Sequence, residues 1–125
     1  MLSFDSFKIE GSAPIYIQII LHIKRGIVAG TVADGDELPS RRVLSALLGV
    51  NPNTVQKAYR MLEDEGLIVS RAGAGSSVAL TDEKCQLIRA ELLEEDARTA
   101  AKALREMGIT LDEAVSLITK FWEVD

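Results

Sequence analysis

Leu38-Pro39-Ser40-Arg41-Arg42 and, a few residues on, Gly49-Val50-Asn51-Pro52-Asn53-Thr54-Val55-Gln56-Lys57-Ala58-Tyr59 are the stretches on which the reading of this chain turns. Between them Val43, Leu44, Leu47 and Leu48 supply the buried face of a short helix, with Ser40 as its N-cap and Gly49 as its stop. Asn51 then caps a second helix and Pro52 opens it, because the first turn leaves unbonded the N–H that proline lacks. Val55, Ala58, Tyr59 and Leu62 fall at the i, i+3, i+4, i+7 spacing of a core-facing stripe. The opposite face carries Asn53, Gln56, Lys57 and Arg60, which have no use in a core. Residues 38–62 hold four basic side chains (Arg41, Arg42, Lys57, Arg60) and no acidic one, in a chain of formal net charge −5. A basic island in an acidic protein asks for an anionic partner, and two helices around a tight turn point to duplex DNA.

Outward from this centre the elements are legible in turn. A helix opens at Pro14 with Tyr16, Ile20, Ile23 and Ile27 on one stripe, and Gly30 stops it. Residues 31–37 form a connector with Asp34-Gly35 as its turn signal. After the basic helix, Gly66 ends the run and a hairpin is expected: one strand over 67–71, a turn over 72–75, and a return over 76–80. The order of these elements describes a winged helix–turn–helix with Arg71 and Gly73 in the wing. Beyond residue 80 the composition turns to Ala, Leu and Glu. A long helix is expected over residues 82–107, and a last one opens at Thr110 with Glu113 completing a capping box.

The fold expected is therefore mainly α with a small β-hairpin: a winged helix–turn–helix domain over residues 1–80, then a two-helix dimerisation tail over 81–125. Residues 1–80 carry eight basic and eight acidic side chains, whereas residues 81–125 carry six and eleven. The acidic tail would repel DNA, so the first part must bind it. In the tail, Leu93, Ala97, Ala100, Leu104 and Met107 alternate steps of three and four. Val115, Ile118, Phe121 and Trp122 add apolar residues on the last helix. Two helices cannot bury both stripes alone, so homodimerisation is expected.

Other classes fit poorly. A single cysteine, Cys85, excludes an internal disulfide and a multi-cysteine zinc site, and His22 is the one histidine, so neither a metal nor another cofactor is expected. No nucleophile–base pair or phosphate loop is present, so an enzyme is not expected. No apolar run reaches the roughly 18 residues of a membrane span, and no secretory signal is visible at the start, which suggests the cytoplasm. His22 is expected at a surface or boundary, and Cys85 as a structural or incidental residue.

Residues 14–80 resemble the N-terminal DNA-binding domain of GntR-family bacterial transcription regulators. The resemblance rests on Pro14-Ile15-Tyr16 with Gln18-Ile19, Leu38-Pro39-Ser40 with Arg42, Val50-Asn51 with Asn53-Thr54-Val55, Ala58-Tyr59, Leu62-Glu63, Glu65-Gly66, and Gly73 with Gly75. The short tail resembles that of the YtrA-type subfamily. The resemblance implies a repressor that binds a double-stranded, pseudo-palindromic operator of a nearby operon, often one encoding an ABC transporter. It implies that Arg42 reaches the operator and that Gly73 approaches the minor groove.

The residue chemistry adds candidates for DNA contact: Asn53 and Thr54 for base edges or phosphates, Gln56 for a base, Lys57 and Arg60 for the backbone, Arg71 in the wing, and Ser40, Arg41 and Asn51 beside them. This chain departs from the family in three places. Pro52 stands where an arginine is frequent, Ala74 replaces a basic residue between the wing glycines, and Asp34 replaces a turn proline, which is expected to change little. Two alternatives stay open: a small-molecule effector site among Leu104, Met107, Phe121 and Trp122 in the tail or dimer interface, and a module that docks its basic face on an acidic protein.

Overall fold

The computed structural model describes residues 2–124. Five helices and one hairpin follow in the order α1 (Ile15–Ala29), α2 (Arg41–Leu48), α3 (Pro52–Asp64), β1 (Ile68–Arg71), β2 (Gly75–Val78), α4 (Asp82–Glu106) and α5 (Leu111–Phe121). The chain divides into two compact units, one reaching Arg89 and the other beginning at Ala90. Among the described residues no helix is long and apolar enough to cross a membrane.

The helix boundaries follow local chemistry. The Ser40 hydroxyl accepts a hydrogen bond from the Val43 N–H (3.1 Å), and the Asn51 side-chain oxygen accepts one from the Asn53 N–H (2.8 Å). Each satisfies a backbone donor that the helix itself leaves unbonded. Pro14 lies at the N-cap of α1, one position before the helical residue that its sequence suggests. At the end of α3 the Gly66 N–H donates to the Glu63 carbonyl and the Leu67 N–H to the Leu62 carbonyl (both 2.9 Å). This Schellman pairing needs a left-handed residue, and Gly66 supplies it at φ 76°.

The core of the first unit lies among Ile19, Ile20, Ile23 and Ile27 of α1, Leu44 of α2, Val55, Ala58, Tyr59 and Leu62 of α3, and Ile68 and Val78 of the hairpin. The α3 stripe is the one that its periodicity predicts. The α2 face is not: Leu44 is fully buried, but Val43 and Leu47 are 56% and 63% exposed. An eight-residue helix docks by a narrow line. Here that line runs through Leu44, Ser45 and the half-buried Leu48, while Leu47 and Val43 sit roughly 100–150° around from its middle. Leu2 and Phe4 join the core, although no periodicity in so short a segment announces them. Phe4, Phe7 and His22 pack as a ring cluster, and the half-buried His22 donates from Nε2 to the Ser3 carbonyl (2.9 Å).

The hairpin is antiparallel with Ile68 opposite Val78 and Arg71 opposite Gly75. Gly75 therefore belongs to the strand, and the loop is Ala72-Gly73-Ala74, shorter than the four-residue turn expected. The return strand stops at Val78, two residues before its expected end. The connector before α2 is more than a turn. Leu38 N–H donates to the Ser76 carbonyl and Val78 N–H to the Asp36 carbonyl, so the connector pairs with the outer edge of β2. Asp34 takes an active part, accepting from the Leu80 N–H at 2.8 Å. A proline at that position has no such acceptor, so the departure ties the end of the hairpin to the connector. The wing is thus held from both sides.

In the second unit α5 opens at Thr110, whose hydroxyl accepts from the Glu113 N–H (3.2 Å). No residue of α5 is buried. Leu111, Val115, Ile118 and Trp122 form a bare apolar stripe, with Leu111 79% and Trp122 76% exposed.

Candidate nucleic-acid interface

Three elements converge on a groove of about 820 Å³ in the first unit. The start of α2 contributes Ser40 and Arg41, α3 contributes Gln56 and Arg60, and the wing contributes Arg71 and Gly73. Six of the sequence-predicted residues thus meet in one concavity. Arg42, Asn51, Asn53, Thr54 and Lys57 do not line it. Arg42 and Asn53 are exposed in the first turns of α2 and α3, and Thr54 is half-buried. Asn51 spends its side-chain oxygen on the cap, which leaves its amide N–H groups for another partner. The Ser40 hydroxyl uses a lone pair for its cap and keeps its O–H to donate.

Arg41, Arg42, Arg60 and Arg71 are exposed, and none makes an ion pair among the described residues. Uncommitted guanidinium groups around a concave surface present planar donors at the spacing that phosphate oxygens accept. The turn that leads into α2 is anchored. The hydroxyl of the buried Tyr59 donates to the Pro39 carbonyl (2.7 Å), so the core of α3 anchors the turn that carries Ser40 and Arg41. Burial pushes the Tyr59 phenol well above its ordinary pKa, with the nearby Arg41 charge pulling weakly the other way, so the donor stays protonated.

Two acids, Glu63 and Asp64, also line the groove. Glu63 is committed: its carboxylate accepts from the Ser70 hydroxyl (3.0 Å), and Ser70 lies 3.0 Å from the Ser76 hydroxyl across the hairpin. Because Ser70 gives its one proton to Glu63, Ser76 must donate to Ser70. The resulting chain, Ser76 to Ser70 to Glu63, fastens both wing strands to the last turn of α3.

The sequence model of the bacterial regulatory proteins of the gntR family matches residues 15–78. The chain belongs to the GntR family. The uncharacterized HTH-type transcriptional regulator YhcF of Bacillus subtilis is 33% identical over 91% of this chain and 94% of its own length. The HTH-type transcriptional repressor YtrA of the same organism is 39% identical over 66% of this chain and 68% of its own. Among solved structures, a GntR-family transcriptional regulator from Listeria monocytogenes superposes with a TM-score of 0.78 at 29% identity, covering 90% of this chain and 98% of that one. The AraR DNA-binding domain in complex with an operator superposes at 0.52 with 28% identity, covering 58% of this chain and 93% of that one. The protein is thus a GntR-family transcription regulator with a winged helix–turn–helix DNA-binding domain.

Reading the sequence as that of a GntR domain misses two features of the site. The Glu63–Ser70–Ser76 chain joins residues that no motif spacing relates to one another, although Glu63 itself stands in the Leu62-Glu63 landmark. The contact between Lys57 and Tyr16 is the other: the Lys57 ammonium lies 4.1 Å from the centroid of the Tyr16 ring on α1. The i, i+4 stripe marks Tyr16 only as a core residue, whereas it is half-buried at the edge of α3.

Proposed function

We propose that this GntR-family protein is a homodimeric, cytoplasmic repressor that binds a pseudo-palindromic DNA operator near the operon it controls. The observation that carries the DNA part is the groove, where Arg41, Arg60 and Arg71 from three elements line one concavity without ion-pair partners among the described residues. In this reading α3 enters the major groove, Arg42, Asn53, Thr54 and Gln56 read base edges, and Ser40, Arg41, Asn51, Lys57, Arg60 and Arg71 hold the backbone. Gly73 takes the wing into the minor groove, which its lack of a side chain favours.

Residues 1–80 act as the DNA-binding domain and 81–125 as the dimerisation tail. The bare stripe of α5 supports a partner of the same kind, since an exposed apolar face of this size is costly to leave in water. In this reading Leu93, Ala97, Ala100, Leu104 and Met107 join Val115, Ile118, Phe121 and Trp122 in the dimer interface. A twofold dimer would place its recognition helices about one DNA turn apart, roughly 34 Å.

The deciding experiment is an anisotropy titration of the full chain against the intergenic DNA upstream of its own gene, with scrambled competitor, at two salt concentrations. Preference for the native sequence by about a thousandfold is the expected result for a specific operator. Equal binding to both sequences, or none, rejects the reading.

A further inference from the structure

We propose that Tyr16, at the start of α1, contacts DNA: with Lys57 it forms a second phosphate-binding point, on the edge of α3 away from the wing. The inference rests on the DNA-binding reading above and extends the interface onto an element outside it.

The argument starts from how the polar face of α3 is divided. At 3.6 residues per turn, Gln56 and Lys57 are about 100° apart around the helix, with Asn53 and Arg60 between them. They are therefore the two edges of one face. Gln56 and Arg60 turn to the groove shared with Arg41 and Arg71. Lys57 turns the other way, and its ammonium stands over the Tyr16 ring at 4.1 Å. A helix of about 10–12 Å diameter fills a major groove about 12 Å wide, so its two edges meet opposite sugar–phosphate strands. The wing side has three arginines for its strand. The other side has Lys57 and the residue beneath it.

The pair suits that task chemically. Lys57 is exposed and makes no ion pair among the described residues, so the ring attracts its cation without neutralising it. A lysine on its flexible stem otherwise loses rotamer freedom when it grips a phosphate; the Tyr16 ring removes part of that loss beforehand. Tyr16 is half-buried, so only part of its ring faces solvent. Its hydroxyl makes no hydrogen bond among the described residues, and a phenol at neutral pH is a donor for phosphate oxygen.

The test uses the full chain and a random-sequence duplex about three helical turns long, titrated by anisotropy from about 50 to 200 mM salt. Tyr16→Phe keeps the ring and removes only the hydroxyl; it is expected to weaken binding roughly fivefold with an unchanged salt slope, because no charge is lost. Lys57→Ala is expected to lower the slope by about one. Tyr16→Phe should then cost less in the Lys57→Ala background than alone, the non-additivity of a coupled pair. Arg60→Ala separates the two readings. If Arg60→Ala weakens binding while Tyr16→Phe, melting normally, binds as tightly as the unmodified chain, the DNA reading stands and the role of Tyr16 falls. If the unmodified chain binds no duplex, both fall.

Discussion

Tyr59 shows how one core residue serves the interface. Its ring fills the apolar stripe of α3, and its hydroxyl holds the Pro39 carbonyl at 2.7 Å. Tyr59→Phe leaves that carbonyl without its partner, so a loss of about 1–3 kcal/mol is expected in urea denaturation at neutral pH. The folded phenol has a raised pKa, chiefly from burial, so the protonated form is favoured in the native state. Its contribution is complete below the unfolded value near 10 and is lost as pH rises past it, since the unfolded chain then ionises while the folded chain does not. The stability gap between the unmodified protein and Tyr59→Phe should therefore narrow above about pH 10. A gap that stays constant to pH 11 would show that the phenol ionises equally in both states. On the exposed side, Arg42→Ala and Asn53→Ala are expected to remove sequence preference while dimerisation survives. Each should cost about 1–3 kcal/mol against the native operator and little against scrambled DNA. Normal operator preference in both variants rejects their assignment.

At the scale of elements, what was legible was what is local. The caps at Ser40, Asn51 and Thr110 depend on residues two or three positions apart, and all three accept the bonds that their sequences suggest. The α3 stripe was legible for the same reason, since thirteen residues cover enough turns to define a face. The α2 face was not, because a line of contact two turns long is chosen by the neighbours it meets, and those meet Leu44 rather than Val43 or Leu47. The wing's fastening was hidden too, as it joins Glu63 to strands that follow a turn. Glu63→Ala removes the terminal acceptor of the Ser76–Ser70 chain. Amides of β1 and β2 are expected to exchange several-fold faster, with the melting temperature changed by only a few degrees. Unchanged exchange would mean that the connector pairing of Leu38 and Val78 holds the wing without help from α3. Gly73 belongs to the same element: a Cβ would meet nothing within 4 Å, but the φ of 76° makes Gly73→Ala costly by about 1–2 kcal/mol through backbone strain alone.

For the whole molecule, the proposed dimer would make affinity depend on holding two reading heads on one DNA, and the tail is what would hold them. No residue of α5 is buried within the chain, and its stripe includes Trp122, among the largest apolar side chains available. Placing a charge at the centre of such a stripe desolvates that charge whenever the two copies meet, and the cost far exceeds any loss within the monomer, where the residue is already in water. Ile118→Asp with Trp122→Asp is therefore expected to leave helix content and the melting of the first unit intact. In sedimentation velocity the same variant should shift from dimer to monomer. Its DNA binding should then change in a specific way. Each winged domain keeps Arg41, Arg60 and Arg71, so weak, salt-dependent binding to any duplex persists. Binding to a two-half-site operator should fall by about a hundredfold or more, because the second head no longer arrives at the high effective concentration that a tether provides. Binding to a single half-site should be unaffected. A variant that remains a dimer places the self-association surface elsewhere, and the exposed Val43 and Leu47 of α2 would be the next residues to substitute.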